Sequence, residues 1–550
     1  MRDEKSNQAS KNLTENNLFV YICLAIAVIV VLIARLHLLS FPLERDEGEY
    51  AYFGKLILDG HAPYTLAYNM KLPGTYYMYA LLMGIFGESI VGIHHGLTLI
   101  VTASMFLVFL IARTFLSKIG AVMATAVFGI IGTSYTLLAQ AAHATHFVVF
   151  FALIGFYFLI HHYKNNKRGW AAYFLAGLFF SFAFICKQSG LFFALFGATV
   201  VFVMEYGNIS KAGMVKHLAL FAAGFAALLL LMILYFALFA DFDRFWFWTV
   251  KYLSKYNTQV PFSEAWVMLK KGVRNLTADY TSAGYIVLWI TSLIGLVTVF
   301  IRKTTMKTRI LLISFFVFSF LTVVPGLYFR RHYFITLLPA AGFLVAFLFD
   351  YFNDIIINKL KKPALTIIPL LIFLIVAGSG VLANKEYLFT RDPRVSCKQV
   401  YGSNPFVESV EIAEFIKRNT APDDKIAILG SEPQIPFYAD RYSATGYIYT
   451  YNLVELHSYA LNMQKEMIRE IELNKPKLII FVNVATSWLA RPESEKYIFK
   501  WANEYLARNY KRVGLMDVYP NRASSLKVGD QLNNYKPQSG ELIYVYERNP

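Results

Sequence analysis

Between residues 44 and 50 the chain reads Glu44-Arg45-Asp46-Glu47-Gly48-Glu49-Tyr50, four carboxylates in six positions directly after an apolar run of spanning length. Acids this close disfavour one another's ionisation, so the pKa of at least one is raised. A group of that kind is suited to act as a general base. The same residues also suit a plainer role, the acidic first turn of a helix from Asp46 to Leu58 that complements its dipole.

Four further signals offer cations or imidazoles. Lys71 stands just before Pro73-Gly74 and suits a headgroup-level phosphate as a point charge, or simple snorkelling. Lys187 closes an apolar run and has the same two readings. Arg330-Arg331, followed by His332 and Tyr333, presents guanidinium forks for phosphate or pyrophosphate, with headgroup anchoring as the alternative. His143 and His146, three residues apart, share a face if helical, which permits metal ligation, proton transfer or hydrogen bonding. With no third ligand nearby and no HExxH pattern, a zinc site is not expected there.

The elements that must position these residues are mostly apolar spans. The 550 residues are 57% hydrophobic and only 16% charged, and mean hydropathy is +0.45. That composition excludes a single water-soluble globule, a disordered chain and a collagen. Three cysteines build no disulfide framework. Eleven stretches have the polarity and length of spanning helices: Leu18 to Leu39, then 91–116, 119–138, 144–162, 171–186, 189–206, 215–240, 283–301, 310–329, 333–352 and 364–383.

With a cytoplasmic N-terminus the short inside loops carry fourteen Lys and Arg residues, against Lys187, Arg330 and Arg331 opposite. This orientation uses up much of the +16 net charge in loops at a membrane face, so no nucleic-acid partner is expected. An odd number of spans places the C-terminal region outside. The chain is thus expected in the plasma (inner) membrane, multi-pass. The division reads as a cytoplasmic segment 1–17, a transmembrane domain 18–383 with outer loops 40–90 and 241–282, and an extracytoplasmic α/β domain 384–550.

The first loop holds Tyr50, Tyr52, Tyr64, Tyr68, Tyr76, Tyr77 and Tyr79, a composition suited to short helices at the bilayer interface. In the tail, helices are expected over Glu408 to Asn419, Val454 to Leu473 and Glu493 to Asn509. Strands are expected over Lys425 to Leu429, Lys477 to Val482 and Glu541 to Glu547, in a partly parallel sheet. No GxGxxG or Walker-type loop occurs in it.

These segments resemble the polytopic glycosyltransferases of the type C fold, in the bacterial branch related to protein O-mannosyltransferases and the lipid A aminoarabinose transferases. The resemblance lies in Asp46-Glu47 with Tyr50-Ala51-Tyr52, Gly60-His61-Ala62-Pro63-Tyr64, Lys71-Leu72-Pro73-Gly74, Ile85-Phe86-Gly87-Glu88, Lys187, Tyr328 to Tyr333, and Leu337-Leu338-Pro339. It extends to the tail at Ile412 to Ile416, Pro422 to Ile426 and Phe437 to Arg441. It implies a polyprenyl-phosphate-linked sugar as donor, a lipid, glycan or protein acceptor on the outer face, and inversion at the anomeric carbon.

The resemblance also implies roles. Asp46 takes the proton of the attacking hydroxyl, and Lys71 with Arg330 or Arg331 stabilises charge on the leaving lipid phosphate. Glu47 assists Asp46 or joins it in holding Mg²⁺ or Mn²⁺. His143, His146, His332 and Tyr333 are acid/base or acceptor contacts, and Lys187 is a further phosphate contact. Relatives carry arginine where this chain has Glu49, and an acid where it has His146. The rival classes are a transporter or lipid flippase, which needs ionisable residues at mid-membrane, and a non-catalytic scaffold with an outer binding domain.

Overall fold

The computed structural model describes residues 17–164, 169–277 and 283–550. Residues 1–16 of the expected cytoplasmic segment, and Lys167 and Arg168 of the inside loops, lie outside the described residues. The chain falls into two units. One takes the chain up to Leu38, His95–Leu234 and Val260–Thr390; the other takes Leu39–His94, Tyr235–Gln259 and Arg391–Pro550.

The first unit is helical. Each of the eleven expected stretches contains a helix, and eight helices among the described residues are long and apolar enough to cross a membrane. The other three are shorter, at Lys118–Ile131, Trp170–Cys186 and Met306–Leu321. The first of these stops where Gly132-Thr133-Ser134 offers turn chemistry, and a separate 3₁₀ turn follows at Tyr135–Leu137. The last stops before Pro325-Gly326 for the same reason.

Burial sorts the spans. In Asn17–His37, Leu18, Ile22, Ile26, Ile29 and Ile33 are exposed, while Val20, Leu24, Val28 and Val31 are buried. An apolar face left open along a whole helix is what lipid solvates. Helix Leu338–Asp354 is the opposite case, buried at every position from Leu338 to Asp350. Glycines let its neighbours approach. A Cβ on Gly342 would sit 2.4 Å from the Ala124 carbonyl oxygen, and one on Gly295 would sit 2.2 Å from that of Leu344. Small residues at crossings are how membrane helices gain van der Waals contact.

Two buried charges in this unit have structural work. Arg35 donates to the carbonyls of Gly132 (3.0 Å) and Ala139 (3.3 Å), where the end of helix Lys118–Ile131 leaves acceptors unmet. Asp350 accepts from Ser117 N at 2.9 Å and Ser117 Oγ at 2.6 Å, and lies 3.5 Å from Arg302.

The second unit holds a five-stranded sheet: β1 (Ile426–Leu429), β2 (Leu478–Asn483), β3 (Tyr510–Asp517), β4 (Leu526–Val528) and β5 (Leu542–Arg548). Their order is β1-β2-β5-β3-β4. Of these strand pairs β1 and β2 run parallel, and the others are antiparallel. Ile412, Ile416, Ile426, Ile428, Ile480, Val482, Met516, Ile543 and Val545 form its core. The three expected strands appear within a residue at each end. β3 and β4 were not expected, and the helix expected over Val454 to Leu473 splits into Tyr451–Val454 and Ala460–Asn474.

Both connecting segments, Leu39–His94 and Tyr235–Gln259, belong to this unit, a different grouping from the linear division at residue 383. The tyrosines of the first segment are therefore not interfacial. Tyr50, Tyr52, Tyr64, Tyr68, Tyr76 and Tyr79 are buried, and only Tyr77 is exposed. Phe53 and Tyr76 stack at 3.9 Å with 4° between the rings. Hydroxyls that would cost free energy if orphaned are met: Tyr68 donates to Glu470 at 2.8 Å, and Tyr52 accepts from Ser443 N at 2.7 Å.

Candidate active site

Helix Arg45–Leu58 organises the acidic cluster of the second unit. Its N-cap is Glu44, whose Oε1 accepts from Glu47 N at 3.1 Å, while Glu47 Oε2 accepts from Glu44 N at 3.3 Å. This reciprocal box satisfies two backbone donors of the first turn. Glu47 Oε1 lies 3.1 Å from His94 Nε2, and His94 Nδ1 lies 2.9 Å from the Leu39 carbonyl. A carbonyl can only accept, so Nδ1 is the donor in the contact with Leu39.

Both Glu47 oxygens are engaged, Oε2 by the turn and Oε1 by His94. Asp46 faces the Lys71 ammonium.

Arg45, in the middle of the cluster, is an anchor. Its Nε donates to Ser431 O at 2.6 Å and its NH2 pairs with Glu432 Oε1 at 3.1 Å, both groups buried. Rings of Phe406 and Tyr451 lie 5.3 Å from the guanidinium carbon. Gly48 completes the docking: a Cβ there would lie 2.6 Å from Gln434 N.

Asp46 and Glu49, three residues apart, project from one side of the helix toward Lys71. Lys71 Nζ lies 3.3 Å from Glu49 Oε2, 3.8 Å from Asp46 Oδ1 and 4.8 Å from the centre of the Tyr50 ring. The Lys71 carbonyl accepts from Tyr64 Oη at 2.5 Å, which fixes the loop that carries it. Tyr76 donates to Glu49 Oε1 at 2.9 Å and Tyr449 to Asp46 Oδ1 at 3.4 Å. Glu47 and Glu49 are sealed off completely, whereas the Asp46 side chain retains 18% of its surface. Of the three acids of this first turn, Asp46 alone is open to a substrate.

The electrostatics follow the burial. Glu44 is pushed well above the usual carboxylate range by burial and by Asp46 and Glu47. Burial also pushes Glu49 up to about 7, with Lys71 opposing. The expected raised acid is therefore present twice. Glu49 and Arg45, to which the residue pattern alone assigns no part in the chemistry, are the cluster's lysine holder and its anchor. The signal for Glu49 was its spacing: positions 46, 49 and 50 share a helix side.

In the first unit, His143 and His332 stack at 4.0 Å with 13° between the rings. His332 meets Tyr333 edge-on at 4.8 Å, and Lys187 Nζ lies 3.5 Å from the centre of the Tyr333 ring. Four of the candidates thus come together. His146 Nε2 contacts the Ala139 carbonyl at 3.1 Å, and its backbone N–H donates to the His143 carbonyl at 3.0 Å. His143 precedes the helix Ala144–Lys164, so the two histidines do not share a helix face. Arg330 lies 5.3 Å from the Tyr328 ring centre, and Arg331 opens the 3₁₀ helix Arg331–Leu337.

A bundle of membrane spans and a mixed α/β unit are the architecture of the type C fold of polytopic membrane glycosyltransferases. Residues 70–236 match the family described as dolichyl-phosphate-mannose-protein mannosyltransferase.

The fold is similar to that of ArnT from Cupriavidus metallidurans bound to undecaprenyl phosphate, with 12% identity and TM-score 0.57 over 96% of this chain and 98% of that one. It is also similar to the archaeal oligosaccharyltransferase AglB from Archaeoglobus fulgidus in complex with an inhibitory peptide and a dolichol-phosphate. There the identity is 13% and the TM-score 0.54, over 94% of this chain and 75% of that one. The arabinofuranosyltransferase AftD from Mycobacteria matches with 12% identity and TM-score 0.51, over 96% of this chain and 40% of that one. A comparison with curated proteins by sequence finds no match.

Proposed function

We propose that the chain transfers a sugar from a polyprenyl-phosphate-linked donor to a hydroxyl of a lipid, glycan or protein acceptor on the outer face of the membrane, with inversion at the anomeric carbon. The observation that carries the reading is Lys71 held between Asp46 and Glu49, a phosphate-directed cation beside a partly open carboxylate. The lipid phosphates named for the ArnT and AglB structures support the donor class.

In this reading Asp46 accepts the acceptor's hydroxyl proton as its oxygen bonds to the anomeric carbon. The bond from that carbon to the phosphate oxygen breaks on the opposite face, and the electron pair leaves with the lipid phosphate. Lys71 stabilises the charge that develops there. In the first unit, Arg330, Arg331 and Lys187 are the candidate phosphate contacts, and His143, His332 and Tyr333 the candidate acceptor contacts. Glu47 keeps the first turn in place. No step is routed through a metal.

Purified protein incubated with a radiolabelled polyprenyl-phosphate sugar and extracted membrane acceptors tests the proposal. Label moves to an acceptor with wild type and not with Asp46→Asn of equal folded yield. Wild-type turnover by Asp46→Asn sinks the assignment.

A further inference from the structure

The helix Ala265–Thr277 in the first unit has no part in the chemistry above, and its surface is unusual. Of its residues, Gly272 and Leu276 are the buried ones. A Cβ on Gly272 would lie 2.5 Å from the Phe329 carbonyl oxygen, so the glycine is what lets the helix lie directly on that backbone. The segment it touches is itself bent, with Gly326, Leu327 and Phe329 all at positive φ (76°, 57° and 45°).

Turning about 100° per residue around the helix, the next side after the packed one carries Trp266 and Val273, 63% and 46% exposed, with Phe262 at 87% in the preceding turn. Beyond it come Lys270 and Arg274, then Val267 at 59%, and further round Lys271, all exposed. The Lys270 ammonium lies 5.1 Å from the Trp266 ring centre. The acid of the segment, Glu264, sits in the turn before the helix. Thr277 is followed, after only five residues, by the span Ala283–Ile301.

We infer that the segment Phe262–Thr277 is a membrane-surface anchor that seats Phe262, Trp266 and Val273 among lipid chains and holds anionic headgroups with Lys270, Lys271 and Arg274. Large apolar groups beside a basic crest are what an interfacial helix needs, the rings at headgroup depth and the cations against phosphate. Each basic residue near an anionic surface adds to the attraction, so the three select anionic lipid over zwitterionic lipid. The short tether to a span keeps the helix at the bilayer surface. Through Gly272 and Phe329 the anchor abuts the turn that leads into Arg330 and Arg331.

The full chain in nanodiscs of phosphatidylcholine, with and without phosphatidylglycerol, provides the test. The fluorescence of Trp266, taken as wild type minus Trp266→Phe, falls at least about twofold when the lipids are brominated, and more so with phosphatidylglycerol. Lys270→Gln/Lys271→Gln/Arg274→Gln removes the difference between the two lipid mixtures. Trp266 emission indifferent to brominated lipid but quenched by aqueous iodide overturns the inference, as does equal quenching of wild type and triple variant in both mixtures. If Trp266→Phe fails to fold, Phe262→Trp serves instead, its added emission being quenched by brominated lipid, or by iodide if the inference is wrong.

Discussion

Lys71 Nζ sits 3.3 Å from Glu49 Oε2, and the carboxylate that holds it has no surface of its own. The lysine is therefore aimed by a group that substrate cannot touch. Glu49→Gln keeps the shape and the Tyr76 contact but removes the charge. We expect kcat to fall about tenfold and the donor KM to rise, the order of a charged hydrogen bond worth about 1.5–3 kcal/mol. Initial rates over a range of donor concentrations check this.

Lys71→Met removes the cation beside Asp46. A fixed donor at a developing anion contributes about 10²–10³ in rate, so transfer per folded molecule drops by that factor. Single-turnover transfer with saturating donor is the measurement, with Lys71→Arg expected to recover part of the loss.

Burial raises Glu49 to about 7 from an ordinary 4.5. An acid whose folded pKa is raised contributes stability that is complete below the unfolded value and is lost as pH rises through the folded one. The unfolding midpoint of detergent-solubilised protein should therefore decline between about pH 4.5 and 7. Glu49→Gln flattens this part of the profile; an unchanged slope removes Glu49 as its source.

Arg45 and Glu432 pair at 3.1 Å with both groups buried. Glu432→Ala leaves the guanidinium uncompensated and costs about 3–5 kcal/mol, whereas Arg45→Met/Glu432→Leu removes both charges and costs less. Thermal unfolding of the single and double variants discriminates: equal losses mean that the pair's charge is not what matters.

Gly224 places helix Lys211–Phe239 against Trp170–Cys186, since a Cβ there would meet the Phe174 carbonyl oxygen at 1.9 Å. Gly224→Val forces the helices apart and should lower the folded yield and the midpoint by several degrees, equivalent to about 1–3 kcal/mol of overpacking. Size-exclusion profiles and melting in detergent report it.

The sequence by itself determined eight of the eleven expected spans, because about twenty consecutive apolar residues are a local property that needs no partner. It determined most of the tail as well, where strands bounded by turn residues announce themselves. β3 escaped because Tyr510–Asp517 follows the helix Tyr497–Asn509 with no turn residue between them. The acidic cluster was legible as a cluster, but the division of labour within it was not. Glu44, Asp46, Glu47 and Glu49 are equivalent as letters. They become a cap, an open acid, a turn holder and a lysine holder only once His94, Lys71, Tyr76 and Tyr449 arrive from elsewhere in the chain. Arg45 finds Glu432 across 387 positions, and the loop tyrosines become core rather than interface when the tail closes over them. Burial and charge pairing are properties of what surrounds a residue, and that is fixed by neighbours distant in sequence.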